Sequence, residues 1–224
     1  NSILMKSYSD VIEKIHRTPN VTSVRIKKSI SFKAGQYFRV YSNNDSRYLS
    51  ASCSPLRDYL EFTKKITNSD FSSWLQALEP GQHVAIEGPY GRFTIDTEDK
   101  ILFVAGGIGI TPIFSLIEDA FLSSSTNDFV LLYGNKSYND IAFYNELTYY
   151  SQRLKLGLFI FTEEKREGFY HGLIDVEKIC GLVSDVDKRT VFVCGSPSMV
   201  ELITQQIAKG NLSKKVKTEK LIGY

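Results

Sequence analysis

The sequence predicts a two-domain α+β chain in which an antiparallel β-barrel is followed by a parallel α/β sheet. Three observations carry that expectation. Up to about residue 98, apolar and polar residues alternate in short runs broken by turn residues. Beyond it, apolar runs of four to eight residues alternate with segments of helical periodicity. Between the two textures lies the charged stretch Asp96-Thr97-Glu98-Asp99-Lys100. Period-two alternation marks strands with one buried face, whereas continuous apolar runs between helices mark strands buried on both faces. The boundary therefore divides the chain into residues 1–97 and 98–224.

In the first half, Val24-Arg25-Ile26-Lys27 and Tyr37-Phe38-Arg39-Val40-Tyr41 alternate, and Pro19-Asn20, Gly35 and Asn43-Asn44-Asp45 punctuate them. Further short runs follow at Tyr59 to Ile66, Val84 to Glu87 and Phe93 to Ile95, with one helix expected at Phe71 to Leu78. Six or so short strands from half a chain call for closure into a barrel, which removes exposed edges. In the second half, strands are expected at Ile101 to Ala105, Phe129 to Tyr133, Leu156 to Thr162 and Thr190 to Cys194. Helices are expected at Thr111 to Leu122, Ile141 to Ser151, Leu173 to Ile179 and Pro197 to Ala208. Strands alternating with helices build a parallel sheet.

Composition excludes several classes of function. The chain has 224 residues, 42% of them apolar and 23% charged, which is globular rather than disordered or collagenous. Lysine and arginine number 27 against 25 acids, a net charge of +2 that is too balanced for general nucleic-acid binding. The three cysteines, Cys53, Cys180 and Cys194, cannot supply four thiolates to an iron–sulfur cluster. They also do not form a disulfide framework, which fits a reducing, cytoplasmic location. The uncharged run Ile101 to Ile117 is interrupted by Gly106, Gly107, Gly109 and Pro112, so a strand, a glycine turn and a helix explain it without a membrane span. The charges of Lys6, Asp10, Glu13, Lys14 and Arg17 leave no stretch resembling a signal peptide.

Two turns stand out. Val104 to Pro112 runs from a strand through Gly106, Gly107 and Gly109 into a helix, with Thr111 expected as its N-cap and Pro112 in the first turn. Glycines there let backbone N–H groups approach a phosphate or ribose, and the carboxyl end of a parallel strand is where ligands bind in open α/β sheets. Phe192 to Met199 repeats the design, placing Cys194 and Gly195 at another strand end where Cys194 is expected to face the same crevice. In the first half, the strand through Arg47, Tyr48, Leu49 and Ser50 brings an arginine near the helix that starts at Ser72, a pairing suited to clamping a pyrophosphate. His16, His83 and His171 are far apart, and neither a catalytic triad nor a metal-ligand pattern is present.

Taken in order, these segments resemble the ferredoxin-NADP reductase family of flavoproteins. Arg47 to Ser50 is similar to its Arg-x-Tyr-Ser motif, Glu87 to Phe93 to its barrel-closing segment, and Ala105 to Pro112 to its nicotinamide turn. Cys194 to Met199 is similar to its Cys-Gly-x-x-x-Met segment, and Glu219 to Tyr224 to its tail. The resemblance implies a barrel holding FAD rather than FMN, beside a sheet that admits NADH or NADPH as electron donor. It implies that Arg47 binds flavin phosphate, that Ser50 lies near the flavin's reactive nitrogen, and that Ser72 meets the pyrophosphate. Tyr48, Leu49 and Lys64 join the flavin site, while Gly106, Gly107, Gly109, Thr111, Pro112, Gly195 and Met199 form the nicotinamide side. Ser50, Cys194 and Glu219 are the implied catalytic residues, and Tyr224 closes over the flavin ring.

Two positions depart from the family pattern: Leu49 stands where it has tyrosine, and Ser69 where it has glycine before the pyrophosphate serine. The implied activity is passage of a hydride from NAD(P)H to the flavin and of electrons onward to a ferredoxin-like protein, an oxygenase component or a small acceptor. Two alternatives are an NAD(P)H:flavin reductase using free flavin and a non-catalytic electron-transfer subunit. Asn135-Lys136, after the second parallel strand, holds no acid for a ribose, so neither NADH nor NADPH is assigned. The run Lys214, Lys215, Lys217 and Lys220 reads either as a solvated strand end or as a docking patch for an acidic partner.

Overall fold

The computed structural model describes residues 6–221. Its first half contains β1 (Ser7–Thr18), β2 (Val21–Lys27), β3 (Tyr37–Tyr41), β4 (Ser46–Ser50), β5 (Tyr59–Lys65), α1 (Asp70–Ala77) and β6 (His83–Tyr90). These strands pair antiparallel in the order β4-β3-β6-β1-β2-β5. The sheet curls until its two ends meet, through a bridge between Ala51 and Phe62 and a 2.9 Å hydrogen bond from the Ser52 N–H to the Glu61 carbonyl. Inward side chains at every second position, among them Ile26, Phe38, Val40, Leu60 and Ile86, fill the barrel, and α1 lays Phe71 and Leu75 against it.

The second half contains β7 (Lys100–Gly106), α2 (Ile110–Leu122), β8 (Asp128–Asn135), α3 (Tyr144–Ser151), β9 (Leu156–Thr162), β10 (Tyr170–His171), α4 (Val176–Leu182), β11 (Thr190–Gly195), α5 (Pro197–Lys209) and β12 (Val216–Lys220). All its strands are parallel, in the order β10-β9-β8-β7-β11-β12. Successive crossovers move outward from β7 and then return to its other side at β11, so the topology reverses between β7 and β11. Phe103, Phe129 and Phe192 cover one face with Ile113 and Ile117 of α2, and Val104, Leu132 and Val193 cover the other with Ile203 and Ile207 of α5. Both faces are apolar, which is why these strands read as continuous runs.

Several boundaries differ from expectation. Phe93 to Ile95 is not a strand: Phe93 packs edge-on against Phe192, 5.1 Å between centroids, and the Thr94 carbonyl accepts from Lys217 Nζ at 2.6 Å instead of joining a ladder. The helix expected from Ile141 starts at Tyr144, because Phe143 adopts a left-handed conformation with φ 61°. The one expected from Leu173 starts after Asp175, whose carboxylate accepts the Lys178 N–H at 2.8 Å and caps it. Thr111 is not the N-cap of α2; a single 3-10 turn, Gly107–Gly109, leads into the helix, and Thr111 Oγ1 donates to the Ile108 carbonyl at 3.0 Å. The long β1 is hidden in the sequence because irregular register at Val11/Glu13 and His16/Thr18 interrupts its alternation.

Polar ties join the two sheets. Arg17 on β1 reaches Glu146 on α3 at 2.7 Å and also Glu61 inside the barrel wall at 3.0 Å. The expected basic run is largely neutralised: Lys215 and Lys217 bond the buried Glu98, and Lys220 pairs with Glu201 at 2.7 Å. Burial opposes the charge of Glu98, yet hydrogen bonds from Lys215, the Asp96 backbone and Lys217 hold its pKa down to about 2. The reading of this run as a free docking patch is therefore corrected. Lys215 and Lys217 fasten the β12 end to the segment that links the sheets, and Lys220 ties it to α5.

Candidate active site at the junction of the two sheets

One crevice of about 250 Å³ opens between the barrel and the carboxyl ends of the parallel strands. Its barrel wall is Tyr37 of β3, Arg47, Tyr48, Leu49 and Ser50 of β4, and Thr63 and Lys64 of β5. Ile108 and Thr111, from the glycine turn and α2, form the opposite wall, and Glu219, Lys220 and Leu221 form its end. β4 is brought here because its pairing with β3 sets Tyr37 opposite Ser50 and Arg39 opposite Tyr48. The result is an aromatic corner in which Tyr37, Tyr48 and Tyr90 lie 5.7 to 6.1 Å apart.

The electrostatics favour an anion on the barrel side. Lys64 is 3% exposed, its Nζ donates only to its neighbour's carbonyl, Lys65 O, at 3.0 Å, and no carboxylate pairs with it among the described residues. Burial, then the nearby charge of Arg47, pushes its pKa down. A buried cation without a counter-ion is costly, so a phosphate supplied by a ligand fits this wall. Arg47 itself is held by Asp45 at 2.6 Å and lies 5.8 Å from the Phe71 ring, beside the start of α1.

On the opposite side, Gly107 has φ +52° and no heavy atom within 4 Å of where a Cβ would stand, so its backbone faces open space. The neighbouring glycines have a different reason. A Cβ on Gly109 would meet the Cys194 carbonyl oxygen at 2.3 Å, and Cβ atoms on Gly106 and Gly195 would meet the Met199 sulfur at 2.2 and 2.9 Å. The two turns therefore interlock, and Met199 fills the slot between them.

Some expected site residues stand elsewhere. Cys194 does not reach the crevice: it is fully buried in the core, and burial, then the charge of Glu219, pushes its thiol well above the ordinary range. A neutral, sealed thiol is not a reactive one. Ser72 is also fully buried, with its hydroxyl bonded to Thr67 and Ser69 and its N–H donated to Ser69 Oγ at 3.2 Å. The serine in place of glycine thus caps the helix from within and takes a donor expected to be open to phosphate. Gly106, Gly107, Gly109, Pro112, Gly195 and Met199 lie behind or beside the crevice rather than in its wall. Tyr224 lies outside the described residues. Sequence reasoning missed Tyr37, Thr63, Ile108 and Leu221, and read Lys220 only as part of the basic run. Ile108, an apolar residue between two glycines, was the detectable signal; the others depend on register.

Glu219 is the chemically distinctive wall residue. Burial pushes its pKa up to about 7. A carboxyl raised on folding binds its proton more tightly in the folded chain, so this stability is complete below the ordinary value of 4.5 and is lost as pH climbs to about 7. Glu219→Gln should remove that loss, roughly 1–3 kcal/mol. Thermal melts should then coincide near about pH 4.5 and separate by several degrees near about pH 8, with the variant higher. Equal offsets at both pH values would show that the carboxyl is not the cause.

Comparison with known proteins agrees with this geometry. Residues 10–95 match the oxidoreductase FAD-binding domain model and residues 103–205 the oxidoreductase NAD-binding domain model. The chain belongs to the ferredoxin-NADP reductase family of FAD- and NAD-binding oxidoreductases. It is 31% identical over 178 residues to the glycine betaine monooxygenase reductase subunit of Pseudomonas aeruginosa, covering 73% of this chain and 49% of that one. It is 28% identical to the propane 2-monooxygenase reductase component of Mycolicibacterium goodii, covering 86% and 61%. The chain thus spans about half to three-fifths of the length of these relatives. Among solved structures, an Amycolatopsis cytochrome P450 reductase superposes with TM-score 0.86 at 19% identity, covering 97% of this chain and 70% of its own. A Neisseria gonorrhoeae ferredoxin NADP+ reductase, solved with bound FAD and NADP, superposes with TM-score 0.82 at 17% identity, covering 96% and 98%. Both share the fold of this reductase-family chain. No helix among its described residues is long and apolar enough to cross a membrane.

Proposed function

We propose that this chain is an NAD(P)H-dependent flavoprotein reductase that passes electrons to an acceptor protein such as an oxygenase component or a ferredoxin. One observation carries the reading: the flavin-side strand β4 and the glycine turn after β7 converge on a single crevice at the point where the strand order reverses. The division of labour follows the 1–97 and 98–224 halves, and the three free cysteines are in keeping with a cytoplasmic location.

Arg47 and Lys64 would neutralise the phosphates of FAD, with Tyr48, Leu49 and Ser50 along the ring. When bound, the flavin supplies hydride acceptance from the nicotinamide and release of electrons singly or in pairs. The chain's own contribution is positional. Gly107 leaves backbone open to the nicotinamide half of the donor, while Ile108 and Thr111 set the distance to Ser50 across the crevice. Leu49, Leu221 and Ile108 keep water from the meeting point. Glu219 holds or yields a proton at its carboxyl near neutral pH.

The purified protein should show the visible absorbance of bound flavin, and anaerobic addition of NADH or NADPH should bleach it. Bleaching by neither overturns the reading. Arg47→Ala should weaken flavin retention about tenfold to a hundredfold, the value of one or two charge-assisted hydrogen bonds, measured by flavin release on dilution. Unchanged retention would remove Arg47 from the phosphate site. A second reading, a reductase that uses free flavin as substrate, is favoured by Leu49 in place of a stacking ring and by the internal capping of Ser72. Gel filtration that strips the flavin while turnover with added flavin persists would establish it.

A further inference from the structure

β4 contributes to one wall of the crevice and the start of α2 to the other, and behind the crevice α2 is fastened to the loop that follows β4. Thr111, Ser115 and Glu118 follow one another at i, i+4 and i+7, one stripe along α2. Thr111 lines the crevice. Ser115 Oγ donates to the Cys53 carbonyl at 2.6 Å. Glu118, 4% exposed, accepts the Ser54 N–H on one oxygen at 2.7 Å. Its other oxygen accepts Arg57 Nη2 at 2.7 Å, Arg57 Nε at 3.2 Å and the Tyr150 hydroxyl at 3.1 Å. Ser54 Oγ adds a 2.6 Å bond to Asp119. Residues 53–57 follow β4 directly, three residues after Ser50.

A buried ion pair is weak evidence for stability, since well-packed apolar residues often serve as well. What Glu118 supplies is a fixed position, because donors from residue 54, residue 57 and α3 all converge on it. Glu118 lies roughly 10 Å along the helix from Thr111 at 1.5 Å per residue, so a shift at this anchor tilts the wall in front. A displacement of about 1 Å at a reacting centre costs on the order of a hundredfold in rate.

We propose that Glu118 is a positioning residue for hydride transfer: through Ser54 and Arg57 it locks α2 onto the loop after β4 and thereby sets the separation of flavin and nicotinamide. The proposal rests on the reductase reading above.

The test uses the flavin-loaded protein in anaerobic stopped-flow with NADH and NADPH, comparing wild type with Glu118→Gln and the milder Arg57→Gln. In Glu118→Gln the bleaching rate at saturating nucleotide should fall about tenfold or more. The nucleotide concentration giving half-maximal rate should change less than about twofold, and the long-wavelength absorbance of the stacked ring pair should weaken. Arg57→Gln should show the same pattern at roughly threefold. Electron transfer out of dithionite-reduced flavin should be unchanged in both. Loss of flavin and of melting temperature with an unchanged rate per bound flavin would overturn the proposal in favour of a purely structural role. Should Glu118→Gln not fold, Arg57→Gln decides by the same criterion. Variants that bleach like wild type overturn the proposal alone. Wild-type protein that holds flavin but is bleached by neither nucleotide overturns the reductase reading and the proposal with it.

Discussion

Gly109→Ala is expected to cut NAD(P)H oxidation by roughly a hundredfold or more while leaving flavin on the barrel. The added Cβ would sit 2.3 Å from the Cys194 carbonyl oxygen, 2.6 Å from its carbon and 2.8 Å from Gly195 Cα. All three are backbone atoms at the end of a central strand, so no side chain can swing aside. The turns after β7 and β11 must part instead, and with them the crevice wall built on Ile108 and Thr111. Overpacking of this kind costs typically ~1–3 kcal/mol and is felt first where the backbones meet. Gly107→Ala differs in kind: it meets no protein atom, bears the left-handed backbone cost of about 1–2 kcal/mol, and puts its methyl into the space proposed for the nicotinamide half of the donor. Anaerobic bleaching normalised to bound flavin measures both. A wild-type rate in Gly109→Ala would show that the contact between the turns does not place the nicotinamide.

The largest stability loss is expected at Glu61, inside the barrel wall. This carboxylate is 1% exposed and accepts from Arg17 on both oxygens at 3.0 Å, from Arg25 Nε at 2.7 Å and from the Ser52 hydroxyl at 3.3 Å. Glu61→Ala leaves two largely buried guanidinium groups with only the more exposed carboxylates of Glu146 and Glu13, which costs up to about 3–5 kcal/mol. For a chain of this length that is on the order of 10 °C in melting temperature. Glu201→Ala, which breaks only the exposed pair with Lys220, should change stability by less than about 1 kcal/mol. Equal effects of the two substitutions would show that the barrel does not depend on the buried network. Because Arg17 also holds Glu146 on α3, the loss should extend to the docking of the second sheet, seen as earlier proteolysis between the halves.

The change from alternating to continuous apolar runs was legible because it follows from how many faces of a strand are buried, and that is written along the chain itself. The glycine turns were legible for a similar reason: a backbone that must pass close to another backbone tolerates no side chain. Lys64 shows the limit. It could be assigned to the flavin site only through a resemblance, and its burial without a counter-ion became visible once β5 was paired with β2 and set beside β4. Cys194 shows the opposite error. Its place at a strand end suggested the crevice, but side chains alternate along a strand, and the register of β11 between β7 and β12 turns this one into the core.

Local pattern by itself determined the two architectures, the order of most elements and the glycine turns at the strand ends, since strand and helix periods are properties of neighbouring residues. Only the tertiary structure decided which residues line the crevice, which lysines of the terminal run are spent in ion pairs, and why the carboxyl of Glu219 keeps its proton to about pH 7. Those depend on desolvation and on distances between segments up to two hundred positions apart, and neither leaves a trace in the order of amino acids around any one of them.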